Sequence, residues 1–223
     1  MKKIRILSCM VLIAFFGSCK PDEPAERETD FAELNATYKI TFSFKWNAQD
    51  FPTDYPSSAH FSKLIGWSHK PSSEFFKVGS IATEGIKNMA EIGATTVLSD
   101  EFSSKIEAGE GLKSVVGNGL GSGVGALSVT LDVNEKFSSI TLTTMLAPSP
   151  DWYVAIINQN LLKNGEFVDE KTVDALTYDA GTDSGVTFTS SNEPTDPKVP
   201  ISVINTPPIG NGKTIATVKF EKL

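Results

Sequence analysis

Two short stretches hold the residues best suited to chemistry. Pro148-Ser149-Pro150-Asp151-Trp152 sets an aspartate on a rigid turn at the entry to an apolar run, and Asp179-Ala180-Gly181-Thr182-Asp183-Ser184-Gly185 places two carboxylates four residues apart. Gly181 and Gly185 allow the backbone to curl tightly around them. Two carboxylates held about 4 Å apart repel by about 4 kcal/mol at a surface-like dielectric. A hard divalent cation removes that cost. Calcium suits such a loop because it takes oxygens from carboxylates, carbonyls and water, and Asp151 could deliver a third carboxylate. The spacing is not that of an EF-hand. On spacing alone, the simpler reading is an Asx-rich turn that holds no ion.

Other reactive groups are few. His60 and His69 are the only histidines, with Ser57, Ser58 and Ser62 near the first and Ser68 and Ser72 near the second. Neither a G-x-S-x-G elbow nor an H-E-x-x-H pair accompanies them, and a triad is defined by geometry rather than by sequence proximity. Each histidine is expected in a structural hydrogen-bonding role. The catalytic alternative is a metal-assisted extracellular hydrolase in which Asp151 or Asp183 holds the ion and His69 acts as base. The alternating glycines between Asn118 and Gly125 lead into a strand rather than from a strand into a helix. They are therefore expected to form a flexible loop and not a dinucleotide site.

The chain has 223 residues, of which 40% are apolar and 21% charged, an ordinary globular composition. Its net charge of −7, from 20 basic and 27 acidic residues, argues against a broad electrostatic grip on nucleic acid. Cys9 and Cys19 are the only cysteines. A disulfide framework, a cysteine-ligated zinc and a cysteine nucleophile are thereby excluded from the body of the protein.

The N-terminus reads as an address. Lys2, Lys3 and Arg5 precede an apolar stretch from Ile6 to Phe16, and Gly17 and Ser18 stand directly before Cys19. This pattern is a secretory signal, and the small pair before Cys19 resembles the lipobox of bacterial lipoproteins. Residues 1–18 are therefore expected to be a signal peptide. Residues 19–36 would be a lipidated cysteine and a flexible acidic tether, and 37–223 the folded domain. Lys20-Pro21-Asp22-Glu23 also resembles the acidic surface-export signals of some Bacteroidota lipoproteins. The expected location is the bacterial cell envelope, at the outer membrane, with the lipid as the only membrane contact.

The elements that must position the aspartates are mostly strands. Tyr38, Ile40, Phe42, Phe44 and Trp46 alternate with polar residues, and Leu127, Val129, Leu131 and Val133 repeat the pattern, which Ile140 and Leu142 continue. Trp152 to Ile157 is an unbroken apolar run, as in a strand covered on both faces. Further strands are expected at 186–190, 201–206 and 214–220. One helix is expected over 81–92, capped by Ser80 and stopped by Gly93, and a shorter one over 100–107. No linker or repeat interrupts 37–223. The fold class is mainly β, an antiparallel β-sandwich with one or two short helices.

These segments also resemble the spondin domain family, the N-terminal module of F-spondin and mindin. The likeness runs from Phe44-Lys45-Trp46 and Phe51-Pro-Thr-Asp-Tyr55-Pro56 through Ala59-His60-Phe61-Ser62, Leu64-Ile65-Gly66, Ser68-His69 and Gly85-Ile86-Lys87. It is most specific at PSPDW (148–152) and at DAGTDSG with Val186-Thr187-Phe188 (179–188), and it continues through Ser191-Asn192 and Pro194-Thr195 to Pro197. The resemblance implies a sandwich similar to calcium–lipid-binding domains and a calcium ion held by Asp151, Asp179 and Asp183. Ile157 departs from the aspartate that family members often carry six residues beyond Asp151. The resulting expectation is a non-catalytic calcium-binding envelope module that mediates adhesion or recognises a glycan, a matrix component or another protein. The alternatives are the hydrolase above and a purely structural envelope lipoprotein.

Overall fold

The computed structural model describes residues 34–73 and 75–223. The expected signal peptide, Cys19 and most of the expected tether lie outside the described residues. In chain order the elements are β1 (Asn35–Lys45), β2 (His60–Phe61), β3 (Ile65–His69), α1 (Glu84–Ile92), α2 (Thr96–Glu107), β4 (Gly111–Val116) and β5 (Val124–Asn134). They continue with β6 (Ser139–Ala147), β7 (Trp152–Asn160), β8 (Leu162–Lys163), β9 (Glu166–Phe167), β10 (Glu170–Asp179), β11 (Ser202–Val203) and β12 (Ala216–Lys222).

The founding strand behaves as its alternation requires. Tyr38, Ile40, Phe42 and Phe44 of β1 are buried, while Lys39 and Lys45 are exposed. β1 already begins at Asn35, so the last residues assigned to the tether pair with Asn134 and Val133 of β5. The main sheet is antiparallel, in the order β4-β3-β6-β7-β10-β12-β1-β5. It folds into two layers at β10. Glu170–Ala175 pairs with β12, and Leu176–Asp179 then pairs with β7. A strand that changes partners in this way turns a corner between packed sheets. At the far edges β4 and β5 come back together, with Lys113 Nζ 2.7 Å from Asp132 Oδ2 across the seam. The result is a sandwich verging on a barrel.

Two apolar cores follow from the layers. Between the sheets lie the β1 aromatics, Trp46, Leu127, Leu131, Ile140, Leu142, Leu146, Val154, Val218 and Phe220. The outer face of the second layer carries Ile65, Trp67, Tyr153, Ala155 and Tyr178, covered by Ile86, Met89 and Ala90 of α1 and Leu98 and Phe102 of α2. β7 therefore contributes Trp152, Val154 and Ile156 to one core and Tyr153 and Ala155 to the other, which is why its apolar run is unbroken.

Several boundaries differ from the sequence reading. α1 starts at Glu84 and its cap is Thr83, whose Oγ1 accepts from Ile86 N at 3.2 Å. Ser80 is held upstream in a turn, and Ile81 bridges to Pro200, so the helix cannot begin there. Gly93 ends α1 as expected, with φ of 66°. α2 is longer than expected, beginning at Thr96. Residues 186–190 form a turn and not a strand. Ser190 Oγ accepts from Val186 N and Thr187 N, and a side chain that takes backbone donors in this way competes with a strand ladder. Of 201–206 only Ser202–Val203 is strand, on the edge beside β10, and β12 begins at Ala216, two residues into the expected 214–220. The segment from Asn118 to Gly123 contains no strand or helix beyond a bridge at Leu120.

Candidate functional site

The two acidic motifs meet at one end of the sandwich. β6 ends at Ala147, a cis Ala147–Pro148 peptide leads into the turn, and Ser149 Oγ accepts from Trp152 N at 3.1 Å to start β7. Trp152 is the register partner of Asp179, the last residue of β10. Asp151 therefore stands beside the 179–185 turn although the two are far apart in sequence.

Asp151 organises that turn. Its Oδ2 accepts from Thr182 N at 2.7 Å, Asp183 N at 3.1 Å and Thr182 Oγ1 at 3.2 Å. Its main-chain oxygen accepts from Ala180 N at 3.2 Å. The side chain is 0% exposed, yet Oδ1 has no hydrogen-bond partner. Burial, reinforced by the negative charge of Asp179, pushes the Asp151 carboxyl up to about 6, against the pull of the hydrogen bonds from Thr182 and Asp183.

Asp179 is half-buried, and its Oδ1 accepts from Gly181 N at 2.8 Å. Burial raises its carboxyl above the usual range. The Gly181 N–H and the Trp152 side chain oppose that shift, while the charge of Asp183 adds to it. Asp183 is buried, with Oδ1 accepting from Gly185 N at 2.8 Å and Oδ2 from Glu193 N at 3.1 Å. Both aspartates of this motif thus make Asx turns. Gly181 has φ of +71°, and a Cβ there would run into the Val199 carbonyl oxygen. The loop is stitched to residues 193–199 through Ser184 N to Glu193 O, Thr195 N to Thr182 O and Val199 N to Gly181 O. Phe188 wedges beneath it, with ring centroids 5.4 Å from Trp152 and 5.2 Å from Trp46.

Asp151, Asp179 and Asp183 are thus brought to one pole, and the charge of Asp179 couples to both of the others. Among the described residues, no three Asp, Glu, His or Cys side chains converge closely enough to hold a metal by themselves. The donor chemistry that fits is a mixed one: the orphaned Asp151 oxygen, the neighbouring Asp179 carboxylate and neutral oxygens. Calcium accepts such a set. Thr182, which ties the motifs together, and Tyr153, whose buried hydroxyl has no partner, were not singled out by the sequence reading. No spacing rule marks them.

The histidines do not join this site. His69 pairs with Ser139 at the start of β6, whereas Asp151 follows the end of that strand. A rise of about 3.3 Å per residue separates them by roughly 25 Å, so a base at His69 does not reach an ion at Asp151. His69 is buried and stacked on Trp67, with Nδ1 2.8 Å from Lys70 O and Nε2 2.9 Å from Thr141 Oγ1. The carbonyl can only accept, so Nδ1 carries the proton, and burial lowers the pKa of the ring. His60 pairs with Ala147 nearer the acidic pole, but it is exposed and its Nδ1 contacts Ser58 O at 2.7 Å within its own turn.

The Spondin_N family model matches residues 36–211 of this sequence, a span that includes the whole acidic pole. The chain belongs to the spondin N-terminal domain family. It is 32% identical over 200 residues to Spondin-2 of Rattus norvegicus, covering 86% of this chain and 60% of the relative. Spondin-2 of Homo sapiens is 32% identical over 203 residues, with 88% and 60% covered. Spondin-1 of Gallus gallus is 30% identical over 229 residues, with 92% of this chain but 28% of the relative covered. The chain thus spans about three-fifths of the Spondin-2 relatives and about a quarter of the Spondin-1 relative. No helix among the described residues is long and apolar enough to cross a membrane.

Proposed function

We propose that this spondin-type domain is a non-catalytic recognition module of the bacterial cell envelope, anchored through a lipidated Cys19, whose acidic pole is set by calcium. Asp151 and Asp179 are its carboxylate ligands, and Asp183 shapes the turn and adds negative charge. The observation that carries the reading is the Asp151 side chain: fully buried, subject to the charge of Asp179, and with one oxygen unpartnered. A buried carboxylate oxygen without a donor costs several kcal/mol unless a cation or proton meets it. The bound ion would fix the loops spanning 179–200 before any partner arrives, reducing the ordering cost of association. The partner is a glycan, a matrix component or another protein outside the cell. The separation of His69 from the aspartates removes the base that a hydrolase would need.

Equilibrium dialysis near neutral pH is expected to show calcium uptake by soluble residues 20–223. Asp179→Ala is expected to abolish both that uptake and the rise in melting temperature produced by calcium. No uptake by the parent, with Asp179→Ala melting alike in calcium and chelator, would remove the metal from this reading. A glycan and matrix-protein array probed with and without chelator tests recognition. Binding that vanishes in chelator ties the ion to the partner surface, and a blank array favours a purely structural role.

A further inference from the structure

Tyr153 presents an anomaly beside the acidic pole. It is 0% exposed, and its ring stacks on Tyr178 at 5.3 Å and meets Phe76 edge-on at 6.2 Å. It belongs to the apolar outer core beneath the helices. A phenylalanine would satisfy this slot. The hydroxyl instead sits buried without an acceptor, at a cost of about 1–3 kcal/mol for an unmade hydrogen bond. Asp151 stands two residues earlier, in the turn that leads into β7, where its main-chain oxygen accepts from Ala180 N close to the Tyr153–Tyr178 register pair. The needs of the two orphans are complementary. Tyr153 has a hydroxyl with nothing to donate to, and Asp151 Oδ1 is an acceptor with no donor. Asp151 and Asp179 are also the two carboxylates whose charge acts on this phenol. Buried polar atoms are rarely left unpaired, and a polar pocket with two or more such partners ordinarily holds a water.

We infer that Tyr153 is a positioning residue of the cation site, its hydroxyl joined through one buried water to Asp151 Oδ1 and so to the ion that Asp151 and Asp179 hold. The inference rests on the calcium reading above and deepens it. Hydrogen bonds to a ligating carboxylate orient it and tune its affinity. The phenol therefore couples the ion to the outer core under α1 and α2.

The test uses the full chain in detergent, with calcium affinity read by competition against terbium luminescence and stability read by thermal melting. Tyr153→Phe is expected to weaken calcium binding about tenfold or more. In chelator its melting temperature should change much less than it does in calcium, because the link then orients no ion. Tyr178→Phe, the stacked neighbour, should leave affinity within about twofold. Parent-like calcium affinity in Tyr153→Phe overturns the inference while leaving the calcium reading intact. An equal loss of stability with and without calcium also overturns it, by showing that the hydroxyl serves the empty fold. If the parent itself takes up no cation, the calcium reading fails first and the inference falls with it.

Discussion

Asp151 spends its hydrogen-bonding capacity unevenly. Oδ2 satisfies two backbone N–H groups and a hydroxyl of the opposite motif, and Oδ1 satisfies none. Its pKa of about 6 lies above the ordinary 3.8 because of burial and then the charge of Asp179. A carboxyl raised by folding contributes stability that is fully present below its unfolded pKa and is lost as pH rises through the folded one. Near pH 7.5 the ion-free protein therefore carries a penalty of about 3 kcal/mol from this residue. Asp151→Asn keeps an acceptor for Thr182 and Asp183 while removing the charge. In chelator near pH 7.5 it is expected to be more stable than the parent by about 1–3 kcal/mol, a gap that closes towards pH 4. Saturating calcium should reverse the order at the higher pH. Urea unfolding across that range checks both signs.

At the scale of the element, β10 is the decisive strand. Its first half belongs to one layer and its second half to the other. Its last residue is Asp179, so the corner of the sandwich delivers a carboxylate to the pole where β7 begins. The turn that follows depends on Gly181, whose φ of +71° is costly for any side chain and whose Cβ position is filled by the Val199 carbonyl. Gly181→Ala is expected to destabilise the protein by about 2–3 kcal/mol. It should also loosen the register of 182–185 against 193–195, read as faster amide exchange at Thr182, Ser184 and Thr195. Unchanged exchange there would show that the turn does not depend on the glycine. The same logic operates in the helix pair, where Glu101 of α2 accepts from Thr83 Oγ1 at 2.6 Å and Gly85 N at 2.9 Å. A carboxylate from one helix thereby completes the N-terminus of the other.

The whole molecule has two poles with different chemistry. β1 enters at Asn35 beside the end of β5, and its far end lies near the start of β12. The acidic motifs occupy that far end, so the described chain begins at the pole opposite to them. The entry pole is latched by His69, which joins β3 to β6 through Thr141, whose hydroxyl also accepts from Asn158 N at 2.9 Å. Asn158 in turn donates to Pro71 O at 2.7 Å. Because burial lowers the His69 pKa below its ordinary 6.5, its contribution to stability is complete above that value and is lost as pH falls through it. Asp151 acts in the opposite direction over the same range. In the Asp151→Asn background, stability is therefore expected to fall as pH drops below about 6.5. His69→Gln should flatten that fall. A flat profile with His69 intact would show that the ring is not held neutral.

Much of this was legible in the chain itself. The alternation in β1 and β5, the unbroken run of β7 and the glycine that stops α1 are local patterns. They follow from which faces must leave water, so they survive without knowledge of neighbours. The two acidic motifs were likewise visible as turns bearing carboxylates, although their spacing alone fits an Asx-rich turn without an ion. The loops around them were not. Residues 186–190 look like a strand, but Ser190 takes their backbone donors, and 201–206 contributes only two residues to an edge. β10 carries little signal in the chain because its residue types do not follow its burial: the apolar Leu176 is exposed while Thr177 beside it is buried. Sequence alone determined that carboxylates were available in two turns and that a β-fold would carry them. Only the tertiary structure decided that Asp151 lies under the second turn, that one of its oxygens is left without a donor, and that His69 is at the other end. Those facts depend on strand order and register, which arise from contacts between residues far apart in the chain and leave no periodic trace along it.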